Sequence, residues 1–180
     1  ASHFVYSVFI GYLWCAAQLF VNSTPSRSRF NVLGAIHSET HHLTTIETQS
    51  NINSFSVRCL LRSVAKQYQD GIPITFIVDS ASYFRTNNVK ELAAELNIEL
   101  LYLPTASPNL NLIERVWGFM KKRCLGTKYF KSFGDFKSEI SSIIREINGG
   151  KHQREIKSLL SKKFQDFSKI PNESFVLMDR

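Results

Sequence analysis

Acidic residues are scarce in the first third of the chain: only Glu39 and Glu47 precede Asp70. Over all 180 residues, 22 Lys+Arg stand against 15 Asp+Glu, giving a formal charge of +7 and a pI of ≈ 9.4. A surplus of that sign favours a polyanionic partner, nucleic acid or an anionic membrane. Cysteine is also sparse. Cys15, Cys59 and Cys124 are odd in number and far apart, which excludes a disulfide framework and any Cys-based zinc spacing. They read as small core residues of an intracellular protein, cytoplasmic in a prokaryote or nuclear in a eukaryote. The five histidines form no zinc pattern, and His41-His42 reads as polar loop or strand edge. Repeats and low-complexity tracts are lacking.

Long apolar runs are nearly absent as well. Phe4 to Val21 is the one candidate, interrupted by Ser7, Gly11 and Gln18. A membrane span needs about 20 apolar residues. Here the aromatics are scattered rather than gathered at two belts, no basic region precedes the run and no cleavage pattern follows it. A buried strand or hairpin is the expectation, with a membrane anchor as the lesser alternative. The chain starts at Ala1, not methionine, which fits a fragment or a processed product.

What is present reads as one α/β domain. After a polar loop at Ser23–Ser28, Asn31–Ile36 and His42–Thr48 read as a strand hairpin. An Asn53/Ser54 cap opens a helix with Val57, Leu60, Leu61, Val64 and Tyr68 at helical spacing, running to about Gln69 and stopped by Asp70-Gly71. Ile74–Val78 is a continuous β-branched run of the kind found in parallel strands covered on both faces. A helix over Thr86–Asn97 and a strand over Glu99–Leu103 complete a parallel crossover. Asn111 opens a helix with an Ile113, Val116, Trp117, Met120, Cys124 stripe. Ser132 caps the next helix, stopped at Gly149-Gly150, and Lys151–Phe167 reads as the last.

Two acids stand at the edges of these elements. Asp79 closes the Ile74–Val78 strand, and in open α/β sheets the carboxyl ends of strands form the ligand crevice. Asp in that place also makes Asx turns. Glu114 stands at the third position of a helix opened by Asn111, where it serves equally as part of a capping box or as a ligand beside the core. Taken together, two carboxylates on rigid elements suit Mg²⁺, which keeps several waters. Pairs of such ions support in-line phosphoryl displacement. Lys121, Lys122, Arg123, Lys128 and Lys131 follow Glu114 and suit phosphate contacts, although a solvated basic face looks the same.

The residues resemble a family at this point. Ile77-Val-Asp79-Ser-Ala-Ser, then Ile98-Glu-Leu-Leu-Tyr-Leu-Pro104, then Ser107-Pro-Asn-Leu-Asn-Leu-Ile-Glu114-Arg-Val-Trp117 is similar to the DDE transposases of the mariner and insertion-sequence-630 superfamily. The hallmark of that family is Leu-Pro-Pro-Tyr-Ser-Pro-x-Leu-Asn-x-Ile-Glu. As in the family, 34 residues stand between Asp79 and Glu114. Arg29-Phe-Asn-Val-Leu-Gly-Ala35 resembles its second strand. The resemblance covers residues 1–148, leaving 149–180 as a C-terminal helix and tail.

That resemblance implies a ribonuclease-H-like mixed sheet flanked by helices, and metal-dependent DNA cleavage and strand transfer. Asp79 and Glu114 would be two of three catalytic ligands for Mg²⁺ or Mn²⁺, with Lys121, Lys122, Arg123 and Lys128 on DNA. Transposon ends and target DNA would be the partners, without a small-molecule substrate or membrane, and the active complex would be a homodimer. The departures are Ser80 for the usual Asn, Thr105-Ala106 for Pro-Tyr, and no Asp before Asp70. The expectation is therefore an N-terminally truncated domain lacking most of its first central strand and its first catalytic Asp, inactive in strand transfer as it stands. The alternative is a non-catalytic DNA-binding remnant of a transposase.

Overall fold

A computed structural model describes residues 2–6, 28–68, 72–104, 110–125 and 128–160. Expectations on most of the Phe4–Val21 run, the Ser23–Ser28 loop, Cys15, Asp70-Gly71, Thr105–Asn109 and the end of the Lys151–Phe167 helix lie outside these residues.

Three antiparallel strands come first, in the order β1 (Ser2–Val5), β2 (Arg29–Ile36), β3 (Leu43–Thr48). The β2–β3 loop is closed by His37 N–H donating to His42 O at 3.0 Å, and by the Glu39 and Thr40 amides donating to His37 Nδ1 at 3.1 Å each. His41 takes a left-handed conformation there, φ 60°. His41 and His42 thus occupy the hairpin loop, as their polarity suggests.

Alternation along β2 serves two cores. Phe30 and Val32 face one, and Leu33 faces the other, as the two-residue period of a strand requires. Helix α1 (Ser54–Ala65) covers the Leu33 side with Val57, Leu60, Leu61 and Val64. Its cap is Asn53, whose side chain accepts from Ser56 N–H at 3.1 Å, satisfying one of the orphan amides of the first turn.

Strands β4 (Ile74–Val78) and β5 (Ile98–Tyr102) pair in parallel through helix α2 (Asn87–Glu95), with Val78 opposite Tyr102. The crossover read from the sequence is present. The expected cover on both faces is not. Phe76, Val78 and Ile98 are buried against α1 and α2, while Ile77 and Leu101 stay 52% and 48% exposed. The cause is that no described element packs on that side. Among the described residues the antiparallel and parallel strands form two sheets, linked through α1 rather than through backbone hydrogen bonds.

On the Phe30/Val32 side, helices α3 (Leu112–Leu125), α4 (Phe133–Asn148) and α5 (Gln153–Leu159) close the first core. The predicted stripe of α3 is buried in full, from Ile113 through Cys124. Ser132 caps α4 by accepting from Asp135 N–H at 3.1 Å. Gly150, at φ +81°, takes the left-handed turn just past its end. The far end of α4 is pinned to β3: Leu43 N–H donates to Asn148 Oδ1 at 2.8 Å, and Asn148 Nδ2 donates to Leu43 O at 2.9 Å. Cys124 is buried as expected, whereas Cys59 is only half-buried. No helix among the described residues is long and apolar enough to cross a membrane.

Candidate active site

Asp79 follows the last residue of β4, half-buried, and its Oδ1 accepts from Ala81 N–H at 3.1 Å. The Asx turn anticipated as the plain role of this residue is therefore made. It occupies only part of the acceptor capacity of a carboxylate, which has about four lone-pair sites. The turn is tied to the neighbouring strand three times. Leu103 N–H donates to Val78 O at 2.8 Å, Ser80 Oγ donates to Leu103 O at 3.0 Å, and Tyr102 Oη donates to Phe84 O at 2.9 Å. Ser80, which departs from the family pattern, thus fixes the residue beside Asp79 to the end of β5.

Glu114 lies in the first turn of α3, also half-buried, with its N–H donating to Asn111 O at 3.0 Å. A carboxylate in a first turn is favoured by the helix dipole.

A third residue reports on both acids. Tyr83 belongs to the short 3-10 turn Ser82–Phe84 that follows Asp79, with its ring 5.0 Å from that of Phe84. Its phenol is pushed up to about 12, by burial first, then by the negative charge of Asp79, then by that of Glu114. Both carboxylates are thus among the causes of the shift, although one follows a strand and the other stands in the first turn of a helix 35 positions later. Sequence reasoning passed over Tyr83. The only available signal was an aromatic residue close behind Asp79, and nothing local tells of Glu114.

The basic residues after Glu114 are less available than their sequence suggests. Arg123 Nη2 donates to both carboxylate oxygens of Glu155, at 3.1 and 3.0 Å, and its guanidinium lies 5.0 Å over the Phe119 ring. Lys128 pairs with Glu139. Lys121 Nζ sits 6.0 Å from the centre of the Phe4 ring. Lys122, Arg123 and Lys128 do line one open groove, but Glu139, Glu146 and Glu155 line it with them. Glu146 is held below the ordinary carboxylate range by hydrogen bonds from Lys151 and then His152. This groove is charge-mixed rather than plainly cationic.

For a metal, the donor chemistry on hand is two carboxylates. No group of three or more His, Cys, Asp or Glu side chains suited to one ion occurs among the described residues. Mg²⁺ commonly takes one or two protein carboxylates and fills its shell with water and substrate phosphate, and the donor chemistry of Asp79 and Glu114 suits such an ion.

Comparison with known proteins agrees with the residues. The chain is 35% identical over 75 residues to y4pE/y4sA of Sinorhizobium fredii, an uncharacterized protein, across 42% of this chain and 53% of that one. It therefore spans about half the length of the curated relative it matches. Among solved structures, the crystal structure of the Mos1 strand transfer complex superposes with a TM-score of 0.49 at 17% identity, covering 88% of this chain and 50% of that one. A simian T-cell lymphotropic virus intasome in complex with PP2A regulatory subunit B56 gamma gives a TM-score of 0.49 at 14% identity, over 67% and 42%. The family model for DDE superfamily endonucleases matches residues 17–137, a span holding β2 through the start of α4 with Asp79 and Glu114 inside it; the chain belongs to that family.

Proposed function

We propose that this chain is the catalytic part of a DDE-type transposase, ribonuclease-H-like in fold, acting in DNA strand cleavage and transfer. Asp79 and Glu114 are its two metal-ligating carboxylates. The observation that supports this reading is placement: Asp79 at the carboxyl end of β4 and Glu114 in the first turn of α3, both half-buried and both inside the span that matches the DDE superfamily endonuclease model. When bound, Mg²⁺ or Mn²⁺ would supply activation of the attacking oxygen and charge neutralisation at phosphorus.

The chain's own residues prepare that chemistry. The Ala81 amide holds Asp79 by one oxygen, and Ser80 locks the turn onto β5. Burial of Trp117, 1% exposed, fixes the roll of α3 and with it the direction of Glu114, three residues earlier. Tyr83 stays protonated well above neutral pH, so it adds no charge of its own behind Asp79.

DNA is the proposed substrate, with a homodimer as the active assembly. No Asp occurs before Asp70, so the third carboxylate of the family pattern is not supplied by an aspartate there. We infer that the 180-residue chain alone binds the ion weakly and performs no strand transfer. Calorimetric titration with Mn²⁺ tests the site. Binding should be weak, and lost in both Asp79→Asn and Glu114→Gln. Binding of equal strength in both variants would remove the metal-site assignment. Efficient end-joining by the 180-residue chain would overturn the inactivity.

A further inference from the structure

The positive charge of this molecule is unevenly tied down. On α3 and beyond it, Arg123 and Lys128 each face a carboxylate. Helix α1 is different. Arg58, Arg62 and Lys66 follow one another at four-residue intervals, with no Asp or Glu from Thr48 to Gln69. At 3.6 residues per turn, these three and Phe55 fall within an arc of about 80°. That arc lies opposite Val57, Leu60, Leu61 and Val64, which are buried in the second core.

Arg62 and Lys66 are exposed, and Phe55, at the head of the same face, is 66% exposed. None of the ion pairs among the described residues involves Arg58, Arg62 or Lys66. Arg58 is half-buried, so the outer part of the stripe is Arg62 and Lys66.

We propose that this face of α1 is a sequence-independent contact surface for the phosphate backbone of duplex DNA. The proposal rests on the reading of DNA as substrate and names the surface that holds it, one distinct from the Asp79–Glu114 pair. Charge complementarity selects the partner. Each four-residue step rises about 6 Å, so the stripe runs about 12 Å along the helix, and a duplex carries one charge per about 1.7 Å of its axis. An anionic membrane fits less well, because interfacial helices bury an apolar face in the lipid, and the apolar face of α1 is already in the core, leaving only Phe55. The helix also packs against the Ser82–Phe84 turn behind Asp79, so DNA held along α1 lies one element from the candidate site.

The test is fluorescence anisotropy of the full chain with a labelled duplex of arbitrary sequence, titrated with NaCl. Each lost phosphate contact lowers the slope of log K against log salt by about 0.9. Arg62→Ala combined with Lys66→Ala should reduce the slope by about 2 and weaken binding uniformly across sequences. Arg62→Lys with Lys66→Arg should restore it, which separates charge from any change in the helix. An unchanged slope in the alanine pair, or no duplex binding by the wild-type chain, overturns the proposal. So does binding to phosphatidylserine vesicles that needs Arg62 and Lys66 while duplex binding does not.

Calorimetry with Mn²⁺ reads the carboxylate site separately. If ion binding ignores Asp79 and Glu114 while the α1 slope falls, the metal-site reading fails and this surface stands. If ion binding needs both acids while the α1 slope holds, only this surface fails.

Discussion

Gly34 and Trp117 share a space that admits no further carbon. A Cβ at Gly34 would lie 2.8 Å from Trp117 Cη2, 3.0 Å from Cζ2 and 3.2 Å from Thr44 O. The bare backbone in the middle of β2 is what lets the indole of α3 lie down on the sheet, and α3 carries Glu114. The position of a candidate catalytic acid thus depends on a missing side chain about 80 positions earlier.

Gly34→Ala should therefore cost about 1–3 kcal/mol, the range for overpacking a filled core, read as a lower midpoint in urea unfolding. Shrinking the partner should recover part of the loss: Trp117→Phe ought to cost less in the Gly34→Ala background than in the wild type. Additive effects of the two changes would mean that they do not meet as described.

Asn148 makes a two-way bridge to the Leu43 backbone across 105 positions. Asn148→Ala removes both bonds and leaves a buried strand end short of partners, a loss of about 1–3 kcal/mol. Asn148→Asp keeps the acceptor for Leu43 N–H and loses the donor to Leu43 O, so it should fall between. A thermal melt of Asn148→Ala equal to wild type would show that the bridge adds nothing.

Alkaline pH should weaken the fold. Tyr83 is raised from 10.0 to about 12, and burial, helped by Glu139, raises Cys124 from 9.0 to about 12. In the unfolded chain both groups release their protons earlier, so the unfolded state binds fewer protons there and stability falls as pH rises. The contribution is fully present below about pH 9 and is lost progressively between about 9 and 12. Unfolding midpoints measured across that window should decline less steeply in Cys124→Ala than in wild type, and equal slopes would remove Cys124 from the account.

Much of this architecture was legible in the sequence because it follows local periodicity. The 3.6-residue stripe from Ile113 to Cys124 is buried as read, the run before Asp79 forms the parallel strand expected of it though not its two-sided cover, and the Asn53 and Ser132 caps form the expected side-chain bonds. What stayed hidden depends on partners distant in the chain. The exposure of Ile77 and Leu101 is decided by which helices arrive on that face, and a β-branched run reads alike with or without them. Glu155 meets Arg123 across 32 positions, so a basic cluster read from composition was already neutralised in part. Gly34 carried one usable sign, since glycine inside a strand marks a close approach. Tyr83 carried none that reached Glu114.

The shared site proposed for Asp79 and Glu114 is open to direct titration. Ultraviolet absorbance of tyrosinate, taken as the difference between wild type and Tyr83→Phe, isolates the ionisation of Tyr83, expected at about 12. Repeated in the Asp79→Asn and in the Glu114→Gln backgrounds, it should fall toward the ordinary value in each, with the larger drop for Asp79→Asn. A Tyr83 ionisation that moves with Asp79 and ignores Glu114 would place the helix acid away from the strand acid and contradict a shared site.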